Sequence, residues 1–295
     1  MTGRSENEGK DIMKLPVRID LTDKVAVVTG GTGVLCSGFC RALAACGAKV
    51  AILGRSREKL DSLEEEIARE GGVARGFSVD VLDKEGLQRV HEEILECFGP
   101  CDILINGAGG NRPAATADDE YFSVDTLRDP EKKSFFDLSR EAIDEVFSLN
   151  IQGTILPTQV FAVDMAEREK GCIINISSMN AFTPLTRIPA YSAAKSGVSN
   201  LTEWLAVHFA KSGIRCNAIA PGFFLTAQNA SLLMQPDGEP TARAGKILAA
   251  TPMGRFGKPE ELIGALLFLV DDSCSGFVNG VVLPVDGGFN AYSGV

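Results

Sequence analysis

The chain has 295 residues, of which 45% are hydrophobic and 23% are charged, a composition typical of a globular protein large enough to bury a core. Its 39 acidic and 29 basic residues give a formal net charge of -10, which argues against nucleic acid or an anionic membrane as the main partner. We find no apolar run approaching the roughly 20 residues that a transmembrane helix needs, so we expect no membrane span.

The eight cysteines lie mostly within helix-like or strand-like patterns, and the first residues show no signal-peptide pattern. We therefore expect a cytoplasmic protein with reduced thiols. The spacings Cys36/Cys40 and Cys97/Cys101 would suit a metal ion, but only two histidines accompany them. Because buried cysteine usually behaves as a small apolar residue, we expect no metal site.

Strands and helices alternate along the chain after a polar N-terminal extension at about residues 1–20. Runs of apolar and β-branched residues predict strands at 24–29, 50–53, 74–79, 102–105, 172–176, 214–219 and 281–284. Periodic stretches predict helices at 34–46, 56–70, 83–97, within 139–168, at 191–212 and at 259–270. This alternation predicts an α/β fold for residues 21–295: a single-domain, doubly wound parallel sheet of the Rossmann-like type, with helices on both faces.

Two segments interrupt the alternation. The polar residues 111–133 are interpreted as an insertion. Residues 222–257 contain no clear strand, and they are either a substrate lid or an ordinary long loop.

A glycine-rich turn lies between the first predicted strand and the first predicted helix. Residues 31–36 have the sequence Gly-Thr-Gly-Val-Leu-Cys, which is a Gly-x-Gly-x-x-Gly pattern with cysteine in the last place. A turn of this kind leads into a helix N-terminus, where a dinucleotide pyrophosphate binds. The pattern alone also suits a plain turn, but its place after the first strand favours a dinucleotide.

The end of the second predicted strand bears on the choice of dinucleotide. NAD enzymes place a carboxylate there for the ribose 2′-hydroxyl. This chain has Arg55 and Arg57 instead, and no carboxylate before Glu58. Arg55 could neutralise the 2′-phosphate of NADP, although both arginines could also be solvated surface charges. The expected cofactor is NADP(H) or NAD(H), with NADP(H) slightly favoured.

A serine, a tyrosine and a lysine are spaced for proton transfer. Tyr191 and Lys195 are four residues apart and would share a helix face, and Ser178 lies thirteen residues before Tyr191 at the end of a predicted strand. Because a neighbouring ammonium favours an ionised phenol, we expect Lys195 to lower the pKa of Tyr191 from its ordinary value near 10.

With these motifs in place, roughly residues 22–290 resemble the short-chain dehydrogenase/reductase family. The resemblance implies that Tyr191 exchanges the proton, that Ser178 hydrogen-bonds the carbonyl, and that Lys195 binds the nicotinamide ribose. It adds Asn150, which matches the asparagine of the family's proton relay. Together with the glycine-rich turn and Arg55, the resemblance gives a set of expected cofactor contacts that also includes Tyr191 and Lys195. The other members of this set are Gly30, Thr32, Gly33, Val34, Leu35, Arg55, Asp80, Val81, Asn106, Ala108, Gly109, Pro221, Gly222 and Thr226.

The chain departs from the family pattern in two places. The usual spacing from Gly30 puts glycines at 34 and 36, where this chain has Val34 and Cys36. The usual Asn-Asn-Ala-Gly is Asn-Gly-Ala-Gly at residues 106–109. Neither change removes a proposed catalytic group, but both alter the contacts expected around the phosphates.

Four longer stretches are similar to the D-mannonate oxidoreductase, or fructuronate reductase, subgroup of the family. They are residues 109–113, 178–184, 220–226 and 285–289. This similarity implies hydride transfer between a nicotinamide and a sugar-acid carbonyl or hydroxyl, with D-fructuronate and D-mannonate as the pair. The alternative is another polyol or sugar-acid dehydrogenase, such as a gluconate 5-dehydrogenase. A dinucleotide-sensing protein without catalysis is less favoured, because all four residues of the proposed proton relay are present.

A sugar-acid carboxylate needs a cation or several amide donors in its pocket. Asn111, Arg112, Asn180 and Arg187 lie on segments near the proposed chemistry and are the candidate substrate contacts. Exposed arginine is common, so both arginines could be surface charges. Asn180 is preferred because it lies two residues after Ser178.

The family resemblance also implies a homo-oligomer, commonly a tetramer. The predicted helix at 191–212 carries several large apolar residues that could join subunits or pack on the parent sheet. We expect some of them to do each. These residues are Leu201, Trp204, Leu205, Val207 and Phe209.

Overall fold

A computed structural model describes residues 19–226 and 233–294 of the chain. The N-terminal extension lies almost entirely outside these residues. The strands are β1 (Val25–Thr29), β2 (Lys49–Gly54), β3 (Val73–Ser78), β4 (Ile103–Asn106), β5 (Gly171–Ile176), β6 (Ile214–Pro221) and β7 (Val282–Val285). They form one sheet in the order β3-β2-β1-β4-β5-β6-β7, and every neighbouring pair is parallel. The predicted doubly wound parallel sheet is confirmed, and its strand order reverses between β1 and β4.

Helices cover both faces of this sheet. They are α1 (Val34–Ala45), α2 (Arg57–Arg69), α3 (Lys84–Cys97), α4 (Arg140–Phe147), α5 (Gly153–Glu167), α6 (Pro189–Phe209), α7 (Ala242–Ala249), α8 (Ile263–Val270) and α9 (Asp272–Ser275). A π-helical turn at Ser148–Gln152 joins α4 to α5.

The hydrophobic core is divided by the sheet into two apolar clusters. Along β1, Ala26 and Val28 belong to one cluster with Phe39 of α1, whereas Val25 and Val27 belong to the other. Alternate residues of a strand face opposite sides of a sheet, so an unbroken apolar run fills both layers. The helices of the second layer include α5 and α6, which supply the residues nearest to the proposed chemistry.

The predicted insertion at 111–133 is held by hydrogen bonds between its ends. The Asp118 N–H donates to the Lys133 carbonyl at 2.9 Å, and the Lys133 N–H donates to the Asp118 carboxylate at 2.7 Å. The backbone forms short 3₁₀ turns at Pro113–Ala115 and Val124–Arg128. The insertion therefore has a defined conformation beside the entry to α6.

The segment 222–257 is closed at its base. The Gly257 N–H donates to the Phe223 carbonyl at 2.9 Å, and the Leu225 N–H donates to the Gly257 carbonyl at 3.1 Å. Lys246 of α7 forms an ion pair with Glu120 of the insertion at 2.8 Å. Residues 227–232 lie outside the described residues, and closure of the segment over a substrate stays a prediction.

The helical stretch Arg140–Glu167 is long and apolar enough, by length and composition alone, to cross a membrane. This differs from the sequence expectation because the π-helical turn joins two predicted helical stretches into one of 28 residues. Half of its most apolar window is buried inside the protein, and Phe161 and Met165 lie in the core. These are the properties of a core helix.

The apolar residues of α6 divide between the core and the surface. Leu205 is 6% exposed and belongs to the core, whereas Trp204 is 57% and Val207 81% exposed. The exposed pair leaves a surface that a second copy could cover, and the homo-oligomer stays a prediction. The eight cysteines are free thiols, and the described part of the chain contains no group of three or more His, Cys, Asp or Glu side chains arranged to hold a metal ion.

Candidate active site

A cavity of about 360 Å³ lies at the carboxyl ends of the central strands, where the strand order reverses. Loops after β1, β4, β5 and β6 and the first turns of α6 surround it, as expected for a ligand site in an open α/β sheet. We call it the central cavity. It is lined by Gly30, Gly33, Val34, Leu35, Cys36, Gly107, Gly109, Gly110, Ile176, Ser177, Ser178, Tyr191, Lys195, Pro221, Gly222, Phe223, Phe224 and Thr226. Many of the predicted cofactor contacts and three of the predicted catalytic residues are thus brought together.

The turn after β1 is locked to the loop after β4. Gly30 has a φ of 61°, and a Cβ atom there would lie 2.9 Å from the Ala108 Cα, so this position needs glycine. The Thr29 hydroxyl accepts hydrogen bonds from the N–H groups of Gly107 and Ala108 at 3.1 and 3.2 Å. Thr29 is a positioning residue that sequence reasoning missed, although its place at the end of β1 was a usable signal.

The N-terminus of α1 is suited to an anion. Gly33 caps the helix without a side chain, and the first turn contains no acidic residue. The first N–H groups of the helix are therefore left to a ligand, and the positive end of the helix dipole favours negative charge. With the side-chain-free floor at Gly30 and Gly109, this arrangement fits a dinucleotide pyrophosphate.

Lys195 is buried on the first turns of α6, with 5% of its surface exposed. Its Nζ donates to the Ile176 carbonyl at the end of β5 at 2.7 Å, and lies 5.8 Å from the centre of the Tyr191 ring. Burial lowers the pKa of Lys195 from 10.5 to about 8, since it disfavours the charged ammonium. The Lys195 ammonium therefore loses its proton more readily than an exposed lysine does.

Tyr191 shows the opposite shift. Burial raises the pKa of the Tyr191 phenol above its ordinary value of 10, and hydrogen bonding to Ser178 opposes this only in part. The expected lowering by Lys195 is absent from this structure, because the ammonium is directed to the Ile176 carbonyl and desolvation dominates. The phenol is consequently protonated at neutral pH.

Asn150 approaches Lys195 from the π-helical turn, a feature that is frequent at functional sites. Its Nδ2 donates to the carbonyls of Gly110 and Val146, both at 2.8 Å. The point where a Cβ of Gly109 would lie is 2.7 Å from Asn150 Oδ1 and 3.0 Å from Lys195 Nζ. Asn150 and Lys195 therefore flank the same backbone position, and a side chain there would displace their polar ends.

Asn180 lies next to the proposed catalytic residues but lines a different space. Its N–H donates to the Ser178 hydroxyl at 3.3 Å. It borders a cavity of about 570 Å³, which also contacts the insertion and the face of α6 formed by Ser192 and Ser196. We call this the insertion cavity. The side-chain oxygens of Asn180 and Ser192 are buried there without a hydrogen-bond partner among the described residues.

The other substrate candidates differ in their freedom to bind a ligand. Asn111 donates to the Thr116 hydroxyl at 2.9 Å, and its Oδ1 is buried without a partner in the described chain. Arg112 forms an ion pair with Glu145 at 2.7 Å and is thereby held at the surface. Arg187 is half-buried and lines the insertion cavity.

The predicted contacts for the adenosine half lie at the ends of β2 and β3. Arg55 and Asp80 line a separate cavity of about 370 Å³. Thr32 lies over the end of β2, with its hydroxyl 3.2 Å from where a Cβ of Gly54 would be. Val81 is buried and packs beside Gly153.

Asn106 does not line the central cavity, and its side chain is hydrogen-bonded within the protein instead. Its Nδ2 donates to the Thr158 hydroxyl at 2.9 Å and to the Asn175 side-chain oxygen at 2.8 Å. Asn175 in turn donates to the Thr202 hydroxyl at 2.9 Å. This network ties β4 and β5 to α5 and α6 beneath the site.

Sequence reasoning also missed several residues that border the central cavity. Phe223 and Phe224 follow the recognised Pro221–Gly222 pair, and their position was the available signal. Ile176 contributes a backbone carbonyl, which no side-chain pattern identifies.

The comparisons with known proteins agree with this geometry. The family model of the short chain dehydrogenases matches residues 24–237. The chain belongs to the short-chain dehydrogenase/reductase family. This family member is 54% identical to an uncharacterized oxidoreductase of Haemophilus influenzae over 96% of its own length and 99% of the relative's.

Two solved structures extend the likeness. One, from Haemophilus influenza with bound NAD, carries the provisional name D-mannonate oxidoreductase. It is 55% identical, with a TM-score of 0.91, over 95% of this chain and 99% of that chain. A gluconate 5-dehydrogenase from Burkholderia cenocepacia, in complex with NADP and tartrate, is 30% identical with a TM-score of 0.79, over 94% and 99% of the two chains. The protein is therefore an NAD(P)-dependent oxidoreductase that acts on alcohol or carbonyl groups.

Proposed function

We propose that this dehydrogenase transfers hydride between a nicotinamide dinucleotide and a sugar acid, with D-fructuronate and D-mannonate as the reacting pair. The observation that carries the proposal is a set of buried side-chain oxygens that lack a hydrogen-bond partner among the described residues, on the segments that follow β4 and β5 and on the first turn of α6. They belong to Asn111, Asn180 and Ser192. Buried polar atoms are normally hydrogen-bonded, and a substrate with several hydroxyl groups would supply the missing donors.

The side chains of the central cavity provide the proton chemistry. The bound nicotinamide would supply the hydride in reduction and accept it in oxidation. Tyr191 would give its proton to the carbonyl oxygen, and its raised pKa keeps that proton available at neutral pH. Ser178 would hydrogen-bond the same oxygen. Lys195 and Asn150, which are fixed by hydrogen bonds to backbone carbonyls, provide polar groups near the phenol.

The relatives support a sugar-acid substrate at two levels. The name of the Haemophilus structure supports D-mannonate. The gluconate 5-dehydrogenase, crystallised with the dicarboxylate tartrate, supports the second candidate function, which is oxidation of another aldonate. The substrates of both candidate functions carry a carboxylate and several hydroxyl groups. Both therefore need a cation and hydrogen-bonding groups in the pocket.

We retain the slight preference for NADP(H) over NAD(H). Arg55 follows β2, and no ion pair holds it within the described residues, whereas Arg57 is paired with Asp61. A free guanidinium at this place favours a 2′-phosphate. The NAD bound to the Haemophilus structure supports the other dinucleotide.

A steady-state comparison tests the substrate and the cofactor together. The purified enzyme would be assayed with NADH and NADPH against D-fructuronate, 5-keto-D-gluconate, neutral ketoses and hydroxysteroid ketones. We expect the highest kcat/KM for D-fructuronate. Equal or higher kcat/KM for a neutral ketose or a steroid would reject a sugar-acid function.

We also propose a cytoplasmic homo-oligomer, a tetramer in its simplest form. The exposed Trp204 and Val207 on α6 support a contact between copies. Multi-angle light scattering would give the mass, and a monomer of 31.4 kDa would contradict this assembly.

A further inference from the structure

A third cavity, of about 310 Å³, lies where the entry to α6, the insertion and α7 meet. We call it the outer cavity. It shares Phe223 with the central cavity and Arg187 with the insertion cavity, so it adjoins both. Its charged residues are Arg187, Arg243, Lys246 and Glu120. Three cations face one carboxylate, in a protein whose net charge is -10.

The single carboxylate of the outer cavity neutralises only one of the three cations. Lys246 forms its ion pair with Glu120 at 2.8 Å. Within residues 19–226 and 233–294, no carboxylate lies within ion-pair distance of Arg187 or Arg243. Two guanidinium groups thus line the same cavity without an ion-pair partner among the described residues. Asp119 interacts with Arg187 only at longer range, which contributes to the lowered pKa of that carboxyl.

Arg187 is held in an unfavourable backbone conformation. Its φ is 74°, in the left-handed region that residues other than glycine rarely adopt. The Arg187 carbonyl accepts from the Ala117 N–H, and the Arg187 Nε donates to the Ala117 carbonyl, both at 2.8 Å. These bonds fix the guanidinium and leave its two terminal nitrogens for a ligand. Strained residues that are held in this way cluster at ligand sites.

Arg243 is placed against the electrostatics of its own helix. It is the second residue of α7, whose first turn contains no acidic residue. A cation at a helix N-terminus is unfavourable, because the dipole is positive there. An anion bound beside Arg243 would be attracted by both the guanidinium and the helix.

We propose that Arg187 and Arg243 together bind the carboxylate of the sugar acid in the outer cavity. This inference rests on the proposed function. In a 5-keto acid, four carbon–carbon bonds of about 1.5 Å separate the reacting carbon from the carboxyl carbon, a span of about 5 Å. Arg187 precedes Tyr191 by four residues and lies just before the N-terminus of α6, which begins at Pro189. A carboxylate bound between two guanidinium forks would orient the keto group toward Tyr191.

Arg112 does not serve this role, because its Nε is bonded to Glu145 at 2.7 Å and it does not line the outer cavity. Lys246 does not serve this role either, because its ammonium is already paired with Glu120 and not available to the substrate carboxylate. The specificity of the enzyme for acids over neutral sugars therefore depends on Arg187 and Arg243.

The variants R243Q and R187G test the pair. Arg243 is exposed, so R243Q leaves the core intact, and glycine adopts the backbone conformation of residue 187 without strain. The control is R140Q, which removes an exposed α4 arginine whose only ion pair among the described residues is with Asp144. Each protein would be assayed with D-fructuronate and with the neutral ketose D-fructose, and dinucleotide binding would verify the fold.

We expect R243Q and R187G each to raise the KM for D-fructuronate at least tenfold, to change the KM for D-fructose much less, and to leave the affinity for the dinucleotide unchanged. R140Q should match the wild type. An unchanged KM for D-fructuronate in both variants would overturn the proposal.

A calorimetric measurement separates this inference from the proposed function. D-gluconate would be titrated into wild type and R243Q, each saturated with NADP⁺. Binding by wild type that R243Q loses supports the carboxylate pair even if the enzyme reduces no sugar acid, in which case only the proposed function fails. Equal binding by both proteins, or none by either, overturns the pair.

Discussion

The Sγ atom of Cys36 occupies the space that a side chain at Gly107 would need. A Cβ atom on Gly107 would lie 2.3 Å from this sulfur and 2.9 Å from the Thr29 carbonyl oxygen. These residues are two of the places where the chain departs from its family, which usually has glycine at 36 and asparagine at 107. The two departures are therefore complementary. The larger side chain lies on the first turn of α1 in this chain, whereas the family usually has it in the loop after β4.

This relationship predicts a coupled effect on stability and cofactor binding. Gly107→Asn should lower the free energy of unfolding by about 1 to 3 kcal/mol, the usual effect of overpacking, and should weaken dinucleotide binding. Adding Cys36→Gly should recover part of both losses, because it removes the contact with the sulfur and leaves the contact with the Thr29 carbonyl. Urea unfolding and dinucleotide titration of the two single variants and the double variant would measure the coupling. Additive losses would show that the sulfur and residue 107 do not compete for one space.

The sequence predicted the architecture because apolar periodicity is a local property. The strand at 102–105 was displaced by only one residue from β4, and Pro221 extends β6 beyond its predicted end because it pairs with β7. The spacing of Tyr191 and Lys195 likewise follows from one helix. Contacts between distant segments could not be predicted in this way.

Three particular features depend on such long-range contacts. The side chain of Asn106 is tied to Asn175, which lies on the neighbouring strand. The left-handed conformation of Arg187 is held by Ala117, seventy residues away. The raised pKa of Tyr191 results from burial by the whole fold, and the Tyr-x-x-x-Lys spacing alone predicted the opposite direction.

Replacing Tyr191 with phenylalanine should abolish turnover while preserving dinucleotide binding. The variant loses the proton but keeps the ring that packs in the site, and general acid–base catalysis contributes about 100- to 10,000-fold. Its kcat should fall by at least about 100-fold. Tyr292→Phe is the matched control, since Tyr292 is 45% exposed near the C-terminus. Full activity in Tyr191→Phe would remove this tyrosine from the mechanism.

Arg55→Gln should discriminate between the two dinucleotides. The variant removes a cation that lies beside Asp80 in the cavity at the ends of β2 and β3. The KM for NADPH should rise about tenfold, since a charge-assisted hydrogen bond contributes about 1.5 to 3 kcal/mol, whereas the KM for NADH should change little. Arg69→Gln, at the exposed end of α2, serves as the control. Equal changes for both dinucleotides would place Arg55 away from the 2′-phosphate.

The buried Lys195 should make stability depend on pH in the alkaline range. Its pKa is about 8 in the folded protein and 10.5 when unperturbed, so between these values the unfolded chain binds more protons than the folded one. The free energy of unfolding of the wild type should therefore rise with pH across this window relative to Lys195→Met, which has no group to titrate there. Urea unfolding without dinucleotide at pH 7, 8, 9 and 10 would measure the difference. The exposed Lys211→Met should show no such trend against wild type. A constant difference between wild type and Lys195→Met would mean that Lys195 titrates in the folded protein as it does in water.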